Sequence, residues 1–278
     1  MKQRIISGVL IAIVTIGLGL IGGYPIAAVL LVCSLIGYYE LVRACGVHGS
    51  GERTNALEIA GFAATALYYL GIMFLPEVIN PNLLTLAVIL GLVLALMAIY
   101  VFTFPRFHAN QVMAAAFCFL YAPVMISCIY RARLLPYGIY IYALIFFCSW
   151  ICDTCAFAAG VLFGKHRFVP LLSPKKTIEG AVGGVAGSVL LCLGTAYVLQ
   201  YWHPEEHLQL QFAVIGVCGS IISQIGDLAA SAIKRNHQIK DYGRCIPGHG
   251  GIMDRFDSVI FTAPIIYFLA VLFLQHVI

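Results

Sequence analysis

Ionisable residues are concentrated between Ser223 and Ser258, in a chain of which 62% of the residues are hydrophobic and 10% are charged. This stretch contains four carboxylates, five Lys or Arg side chains and the run Pro247-Gly248-His249-Gly250-Gly251. Carboxylates are the hard oxygen ligands that Mg²⁺ prefers, while cationic side chains and exposed backbone amides bind phosphate. The combination predicts a site for a metal-bound polyphosphate.

Four polar residues of this stretch share one face of a predicted helix. Ser223, Asp227, Ser231 and Lys234 are separated by four, four and three residues, and each step advances about one helical turn. An ionisable residue inside a membrane span is costly and usually faces a cavity or a partner. The alternative is a polar contact between helices in which Lys234 neutralises Asp227, but we favour a functional stripe.

Two further carboxylates, Asp254 and Asp257, lie three residues apart where the next helix is predicted to begin. Carboxylates at a helix N-terminus could simply complement the helix dipole. Because Asp227 and Asp241 are near in sequence, we prefer a site for a Mg²⁺-type cation, with Asp227 and Asp254 as the ligand pair. Asp257 is then a supporting residue or a base.

The Gly-rich run directly precedes that helix, so its backbone amides are placed to bind a phosphate or an oxyanion. Gly248, Gly250 and Gly251 offer no Cβ that would obstruct such a ligand. The run is not a Walker A loop, because Gly-Lys-Ser/Thr is missing. A plain flexible turn is the alternative.

A second candidate phosphate site is the segment Ser173–Thr177. Ser173 as N-cap and Pro174 as the first helical residue predict a helix start there. Lys175 and Lys176 would then oppose the helix dipole, and a bound anion would resolve that conflict. The alternative is that these lysines only mark the cytoplasmic side of the membrane.

The apolar runs also contain small residues, one further carboxylate and most of the cysteines. Small residues at Gly180, Gly183, Gly184 and Gly187 predict close helix packing. Asp153 also falls within an apolar run, where it either lines the same cavity as Asp227 or serves as a hydrogen-bonded structural residue. The ten cysteines are scattered, mostly within the apolar runs, and predict packing roles instead of disulfides.

These residues must be positioned by membrane-spanning helices, because apolar runs near the ~20 residues needed to cross a bilayer recur along the chain. Backbone amides in the bilayer must be satisfied internally, and barrel strands show weak alternation instead of long apolar blocks. We therefore predict an all-α, polytopic membrane bundle with a polar catalytic cavity facing the cytoplasm. The nine predicted spans are 5–21, 24–42, 56–75, 83–104, 111–130, 138–163, 178–201, 211–233 and 258–277.

The chain is predicted to be one membrane domain, with residues 1–135 as a helical scaffold and residues 136–278 as the catalytic part. With the N-terminus in the cytoplasm, only Arg131 and Arg133 of the 16 Lys and Arg residues face outward. This asymmetry follows the positive-inside rule. It places the ionisable stretch in the cytoplasm, where nucleotides are available, and nothing in the sequence suggests nucleic-acid binding.

The order Ser231-x-x-Lys234-Arg235, Lys240-Asp241 and Pro247-Gly-His249-Gly-Gly-x-x-Asp254-Arg255-x-Asp257 resembles the signature of the phosphatidate cytidylyltransferases. Similarity extends to Gln224-x-Gly226-Asp227, Asp153-Thr154, Phe163-Gly164-Lys165 and Ser173-Pro174-Lys175-Lys176-Thr177, and to Arg4-x-x-Ser7-Gly8 near the start. The last 130 or so residues resemble the family clearly, and the first 130 or so chiefly by hydropathy.

The resemblance implies a reaction of CTP with phosphatidic acid that gives CDP-diacylglycerol and pyrophosphate. It also implies a Mg²⁺ requirement, with a second, monovalent cation left open, a homodimer, and a place in the cell (inner, cytoplasmic) membrane. Asp227 and Asp254 would hold the metal. From the chemistry and spacing of the residues, we further predict as catalytic residues Lys234, Asp241, His249, Arg255 and Asp257, and as substrate-binding residues Lys175, Lys176, Ser223, Ser231, Arg235, Lys240, Gly248, Gly250 and Gly251.

Three other functions were weighed against this one. A CTP-dependent lipid-alcohol kinase would use the same nucleotide but transfer the γ-phosphate. A CDP-alcohol phosphotransferase is disfavoured because the sequence has no Asp-Gly-x-x-Ala-Arg run. A cation- or proton-coupled transporter would explain Asp153 and Asp227 within apolar runs, but it leaves the long cytoplasmic cluster without a purpose.

Overall fold

The computed structural model describes residues 2–48, 54–76, 78–245 and 250–274. Within these residues it contains nine helices and one short β-hairpin. The elements, in chain order, are α1 (Lys2–Ile21), α2 (Gly23–Ala44), α3 (Ala56–Phe74), α4 (Pro81–Phe102), α5 (Ala109–Arg133), α6 (Gly138–Phe163), β1 (Arg167–Val169), β2 (Ser173–Thr177), α7 (Ile178–Trp202), α8 (Gln209–Asn236) and α9 (Met253–Phe273).

The predicted all-α membrane architecture is confirmed. Helices α2 to α9 are each long and apolar enough to cross a bilayer, and α1 contains the shorter apolar segment Ser7–Ile21. The first eight predicted spans differ from the observed helices by at most three residues at either end. The chain is therefore a multi-pass membrane protein.

The last helix begins five residues before its predicted start at 258, at Met253. The prediction followed the apolar run and missed the helix cap. The backbone N–H groups of Ile252 and Met253 donate to the carboxylate of Glu40, so the helix is stabilised before its apolar part begins. Asp254 and Asp257 consequently lie in the first two turns of α9.

Two helices contain a π-helical turn, at Leu120–Val124 in α5 and at Phe147–Ile151 in α6. In α5 the turn contains Pro123, which has no backbone N–H to donate. In α6 the turn ends directly before Cys152-Asp153. Such turns shift the helical register and often occur at functional sites.

The hairpin β1–β2 was not predicted, and it corrects the expected helix start at Ser173. Strands β1 and β2 pair antiparallel, with Arg167 opposite Thr177 and Val169 opposite Ser173. The N-cap of α7 is Thr177, whose hydroxyl accepts a hydrogen bond of 3.1 Å from the backbone N–H of Gly180. The Ser173 and Pro174 assignment was therefore wrong, because strand pairing holds these residues extended.

The chain divides into two compact units. The first unit comprises residues 1–127 and 236–255, and the second comprises residues 128–235 and 256–278. In the first unit, fully buried tyrosines of α2 and α3 form much of the core. The Tyr69 hydroxyl lies 2.7 Å from that of Ser34, and the Tyr68 hydroxyl lies 2.8 Å from that of Ser127, so these two phenol groups are satisfied.

In the second unit, α6 and α7 pack at very short range. A Cβ added at Gly180 would lie 2.7 Å from the carbonyl oxygen of Ala156, and one added at Gly184 would lie 2.8 Å from that of Cys152. Gly183 and Gly187 face Ala159 and Cys155 in the same way. The predicted close packing at these four glycines is confirmed. Among the described residues, none of the cysteines forms a disulfide.

Candidate active site

The second unit contains a cavity of about 580 Å³. It is lined by residues from α6, the hairpin, α7 and α8. Its charged lining residues are Asp153, Lys165, Arg167, Lys175, Lys176 and Asp227. Four cations against two carboxylates make the cavity suitable for an anionic ligand such as a phosphate ester.

One part of the lining is apolar. Phe157 and Val161 of α6 and Phe168 of β1 contribute to it, and all three side chains are exposed. An apolar wall beside a cluster of cations matches the two parts of a lipid with an anionic head group. The cavity thus combines the two kinds of surface that an anionic lipid requires.

Lys176 and Asp227 form an ion pair inside this cavity. The Lys176 Nζ atom lies 2.5 Å from Asp227 Oδ2, and each side chain is 28% exposed. The sequence analysis considered Lys234 as the group that could neutralise Asp227, but the ion pair joins Asp227 to Lys176 of β2. A carboxylate and an ammonium this close can bind one ligand together, the carboxylate through a cation and the ammonium through phosphate oxygens.

Asp153 lines the same cavity as Asp227. It lies on α6, two residues after the end of the π-helical turn at Phe147–Ile151. The alternative that Asp153 is only a structural residue elsewhere in the bundle is therefore not supported. Two carboxylates from two helices face one cavity.

Asp257 is half-buried in the second unit, and its Oδ1 atom accepts a hydrogen bond of 2.8 Å from the backbone N–H of Ser258. The charged groups that act on it are Asp227, Lys234 and Asp153. The predicted role of Asp257 as a supporting residue or a base stays a prediction.

The remaining residues of the predicted stripe on α8 differ in their exposure. Ser223 is fully buried, its hydroxyl has no hydrogen-bond partner among the described residues, and it is not among the residues that line the cavity. Ser231 and Lys234 are half-buried, and Arg235 is exposed. All four residues of the stripe lie on α8, but only Asp227 lines the cavity.

Residues 237–252, here called the connecting segment, join α8 to α9 and belong to the first unit. Lys240 and Asp241 are exposed. Asp254 follows the segment and is only 6% exposed; its Oδ2 atom accepts hydrogen bonds from the backbone N–H groups of Tyr242, at 2.8 Å, and Gly251, at 3.0 Å. Asp254 therefore binds the segment at Tyr242 and, next to α9, at Gly251.

Other predicted residues of this region are placed as follows. Gly250 has a φ of +87°, a conformation that favours glycine, and a Cβ there would lie 2.8 Å from Asp254 Oδ2. The Arg255 Nε atom is buried without a hydrogen-bond partner among the described residues. Gly248 and His249 lie outside the described residues. The predicted metal pair, Asp227 and Asp254, takes one residue from each unit and stays a prediction.

The sequence analysis missed Glu40, which lies in α2 and is 3% exposed. Its carboxylate contacts the connecting segment and the start of α9. An acidic residue within an apolar run was the available signal, but residues 1–135 were interpreted as scaffold. Lys165 was noted only as part of the family resemblance, and Arg167 only as one of the Lys and Arg residues on the cytoplasmic side, although both line the cavity.

Similarity to known proteins identifies the family of the chain. The chain is 32% identical to a phosphatidate cytidylyltransferase of Bacillus subtilis over 284 residues, covering 98% of both chains. It is 30% identical to proteins of the same name from a Synechocystis strain, over 98% of this chain and 97% of the relative, and from Staphylococcus haemolyticus, over 98% and 99%. The profile of the cytidylyltransferase family matches residues 2–273, and the chain therefore belongs to the cytidylyltransferase family.

Proposed function

We propose that the protein transfers CMP from CTP to phosphatidic acid, giving CDP-diacylglycerol and pyrophosphate. The observation that carries this proposal is the cavity of the second unit, where four cations and two carboxylates lie beside an apolar wall within a membrane protein. The full-length similarity to proteins named phosphatidate cytidylyltransferase supports the choice of reaction.

In the proposed reaction, an oxygen of the phosphatidate phosphate attacks the α-phosphorus of CTP. The new bond joins that oxygen to the α-phosphorus, the bond from the α-phosphorus to the bridging oxygen breaks, and pyrophosphate leaves with the electron pair. Reactions of this type depend on positioning and on compensation of negative charge more than on covalent catalysis. Lys175 and Lys176 would hold a phosphate group, with Lys165 and Arg167 adding positive charge to the same cavity.

The carboxylates of the cavity fit a Mg²⁺ ion. Mg²⁺ is usually bound by one or two carboxylates together with substrate phosphates, without a cage made entirely of protein ligands. Asp153 and Asp227 supply two hard oxygen donors on one cavity, and no cluster of three or more His, Cys, Asp or Glu ligands occurs within the described parts of the chain. When bound, Mg²⁺ would offset the negative charge of the leaving pyrophosphate. We keep Asp254 as the second proposed ligand beside Asp227.

The other residues of the signature receive proposed roles from the same chemistry. Lys234, Lys240 and Arg255 would clamp the triphosphate or the phosphatidate head group. His249 would donate a hydrogen bond or assist proton movement, and Asp257 would support the metal-binding carboxylates. Ser231, Arg235, Asp241 and the glycines Gly248, Gly250 and Gly251 remain proposed members of the substrate site. Ser223 is not included in it, because its side chain is fully buried and does not line the cavity.

We also propose the cell membrane as the location, with the N-terminus and the active site in the cytoplasm, and a homodimer as the assembly. Bacterial relatives support the location. The distribution of Lys and Arg supports the orientation. The homodimer rests on the family resemblance alone.

The decisive experiment is transfer of label from α-labelled CTP to phosphatidic acid by purified protein in mixed micelles with Mg²⁺, beside Asp254→Asn. Labelled lipid with release of pyrophosphate, lost in the variant, is the expected result. If label enters lipid only from γ-labelled CTP, the protein is a lipid kinase and the proposal is wrong. If Asp254→Asn retains full activity, the assignment of Asp254 is wrong although the reaction stands.

A further inference from the structure

Glu40 supplies the N-terminal cap of a helix that lies more than two hundred residues further along the chain. Its Oε1 atom accepts a hydrogen bond of 3.2 Å from the backbone N–H of Ile252, and its Oε2 atom accepts one of 2.9 Å from that of Met253. N–H groups at the start of a helix have no partner within the helix and carry partial positive charge. The buried Glu40 carboxylate binds two of these N–H groups, so the N–H groups and the carboxylate all have hydrogen-bond partners.

The connecting segment also closes around Glu40 at two glycines. A Cβ added at Gly243 or at Gly251 would overlap the Glu40 carboxyl group. Partial desolvation and the nearby Glu40 charge raise the pKa of the Cys245 thiol, so the thiol is mainly protonated beside Glu40.

Asp254 continues the same arrangement by binding the segment from its other side. Its Oδ2 atom accepts hydrogen bonds from Tyr242 and Gly251, so Gly251 donates to Asp254 while packing against Glu40. Glu40 thus fixes the two residues that directly precede Asp254. The position of the Asp254 carboxylate depends on this cap through a chain of short contacts within one unit.

We propose that Glu40 is a positioning residue for cytidylyl transfer, which holds the connecting segment and the start of α9 so that the Asp254 carboxylate keeps its working position. The inference rests on the proposed role of Asp254. It assigns a part in the reaction to a helix, α2, that contributes nothing to the recognised signature.

The chemistry of the cap predicts how substitutions behave. Glu40→Gln keeps one acceptor oxygen, but it places an NH₂ group against the second backbone N–H and removes the negative charge. Glu40→Asp keeps the charge and both acceptors on a side chain that is one methylene shorter. Because displacement of a reacting group by ~1 Å can cost about 10²-fold in rate, we expect kcat to fall by about that factor in Glu40→Gln.

The matched control is Glu58→Gln. Glu58 is a fully buried glutamate of α3 in the same unit, and its carboxylate bonds His48 at 2.8 Å and not the connecting segment. Both variants undergo the same chemical change in a buried site. A general effect of losing a buried carboxylate would appear in both, whereas a positioning effect would appear only in Glu40→Gln.

The experiment compares purified wild type, Glu40→Gln, Glu40→Asp, Glu58→Gln and Asp254→Asn in detergent. It measures kcat, the KM for CTP and for phosphatidate, the thermal unfolding midpoint, and tryptic cleavage after the exposed residues Lys240 and Arg244. In Glu40→Gln we expect kcat to fall about 10²-fold with KM changed less than about threefold, and faster cleavage at these two sites. Glu40→Asp should recover at least about tenfold of the lost kcat, because it keeps a charged acceptor. Glu58→Gln should match wild type in kcat and in cleavage.

Two results would overturn the proposal. One is a Glu40→Gln protein with kcat within about threefold of wild type. The other is a loss of kcat that matches the loss of folded protein in both Glu40→Gln and Glu58→Gln, while cleavage after Lys240 and Arg244 stays unchanged. If Asp254→Asn stays active while Glu40→Gln is slow, the route through Asp254 is wrong. If Asp254→Asn is inactive and Glu40→Gln is active, only the positioning role fails.

Gly243→Ala provides an independent test should Glu40→Gln not fold. The added methyl group presses on the Glu40 carboxylate from the segment and leaves α2 unchanged. It should lower kcat and speed cleavage after Lys240 and Arg244, whereas Gly91→Ala in α4, where a Cβ meets no heavy atom within 4 Å, should do neither. Equal kcat and equal cleavage in the two variants would overturn the proposal.

Discussion

The cavity of the second unit and the connecting segment of the first unit use opposite means to hold charged groups. In the cavity, side chains meet side chains, as in the Lys176–Asp227 ion pair, and both partners are partly exposed. In the segment, buried carboxylates of Glu40 and Asp254 meet backbone N–H groups, and both are almost fully buried. Exposed side-chain pairs can exchange partners for a ligand, whereas buried carboxylates bound to backbone amides fix a shape. The difference indicates that the cavity side chains bind the substrate directly, and that the bonds between the segment, Glu40 and Asp254 hold Asp254, the proposed metal ligand, in place.

Asp227→Asn tests the cavity with the largest expected effect. We expect cytidylyl transfer to fall on the order of 10²–10³-fold, because the variant loses a charge that faces the reacting phosphates. The unfolding midpoint should change little, since ion pairs of this exposure contribute ~0–1 kcal/mol. If the unfolding midpoint falls strongly and activity falls only as much as the amount of folded protein, Asp227 is instead a structural residue.

Lys176→Ala tests the other half of the ion pair. We expect about a 10²-fold loss of kcat/KM, with part of it regained in Lys176→Arg, which keeps the charge but changes its geometry. Steady-state kinetics with CTP and phosphatidate varied in turn will show which substrate loses affinity. Unchanged kinetics for both substrates would mean that Lys176 only neutralises Asp227.

Gly251→Ala tests the segment, where the added methyl group would overlap the Glu40 carboxyl group. We expect kcat to fall about tenfold and the unfolding midpoint to drop, because neighbouring groups must shift. Gly91→Ala in α4 is the matched control, since a Cβ there meets no heavy atom within 4 Å. Equal kinetics in the two variants would contradict the positioning role of the segment.

Ser223→Ala has the smallest expected effect and tests where the substrate site ends. The buried hydroxyl has no hydrogen-bond partner among the described residues and does not line the cavity. From this location we expect activity within about threefold of wild type and unchanged or slightly higher stability. A loss of tenfold or more would support the substrate-binding role assigned to Ser223 from the helical stripe.

Local sequence signals predicted the helices well and the helix starts less well. The spans were predictable because the bilayer requires long apolar runs, whichever helices pack together. The predicted span began at 178, as α7 does, but the N-cap expected at Ser173 was wrong, because Ser173 pairs with Val169 in a hairpin and Thr177 caps the helix. The predicted start of α9 lay too far along the chain, because the residue that caps this helix, Glu40, comes from α2.

The sequence by itself determined the membrane architecture, the family, and the residue types of a phosphate and metal site, since these depend on composition, run length and spacing along the chain. Only the tertiary structure decided that Lys176 is the partner of Asp227, that Asp153 lines the same cavity, and that Glu40 caps α9. Each of these contacts joins residues far apart in sequence. The number of residues between two positions does not determine their distance in the folded chain, so such pairs form only when the helices pack.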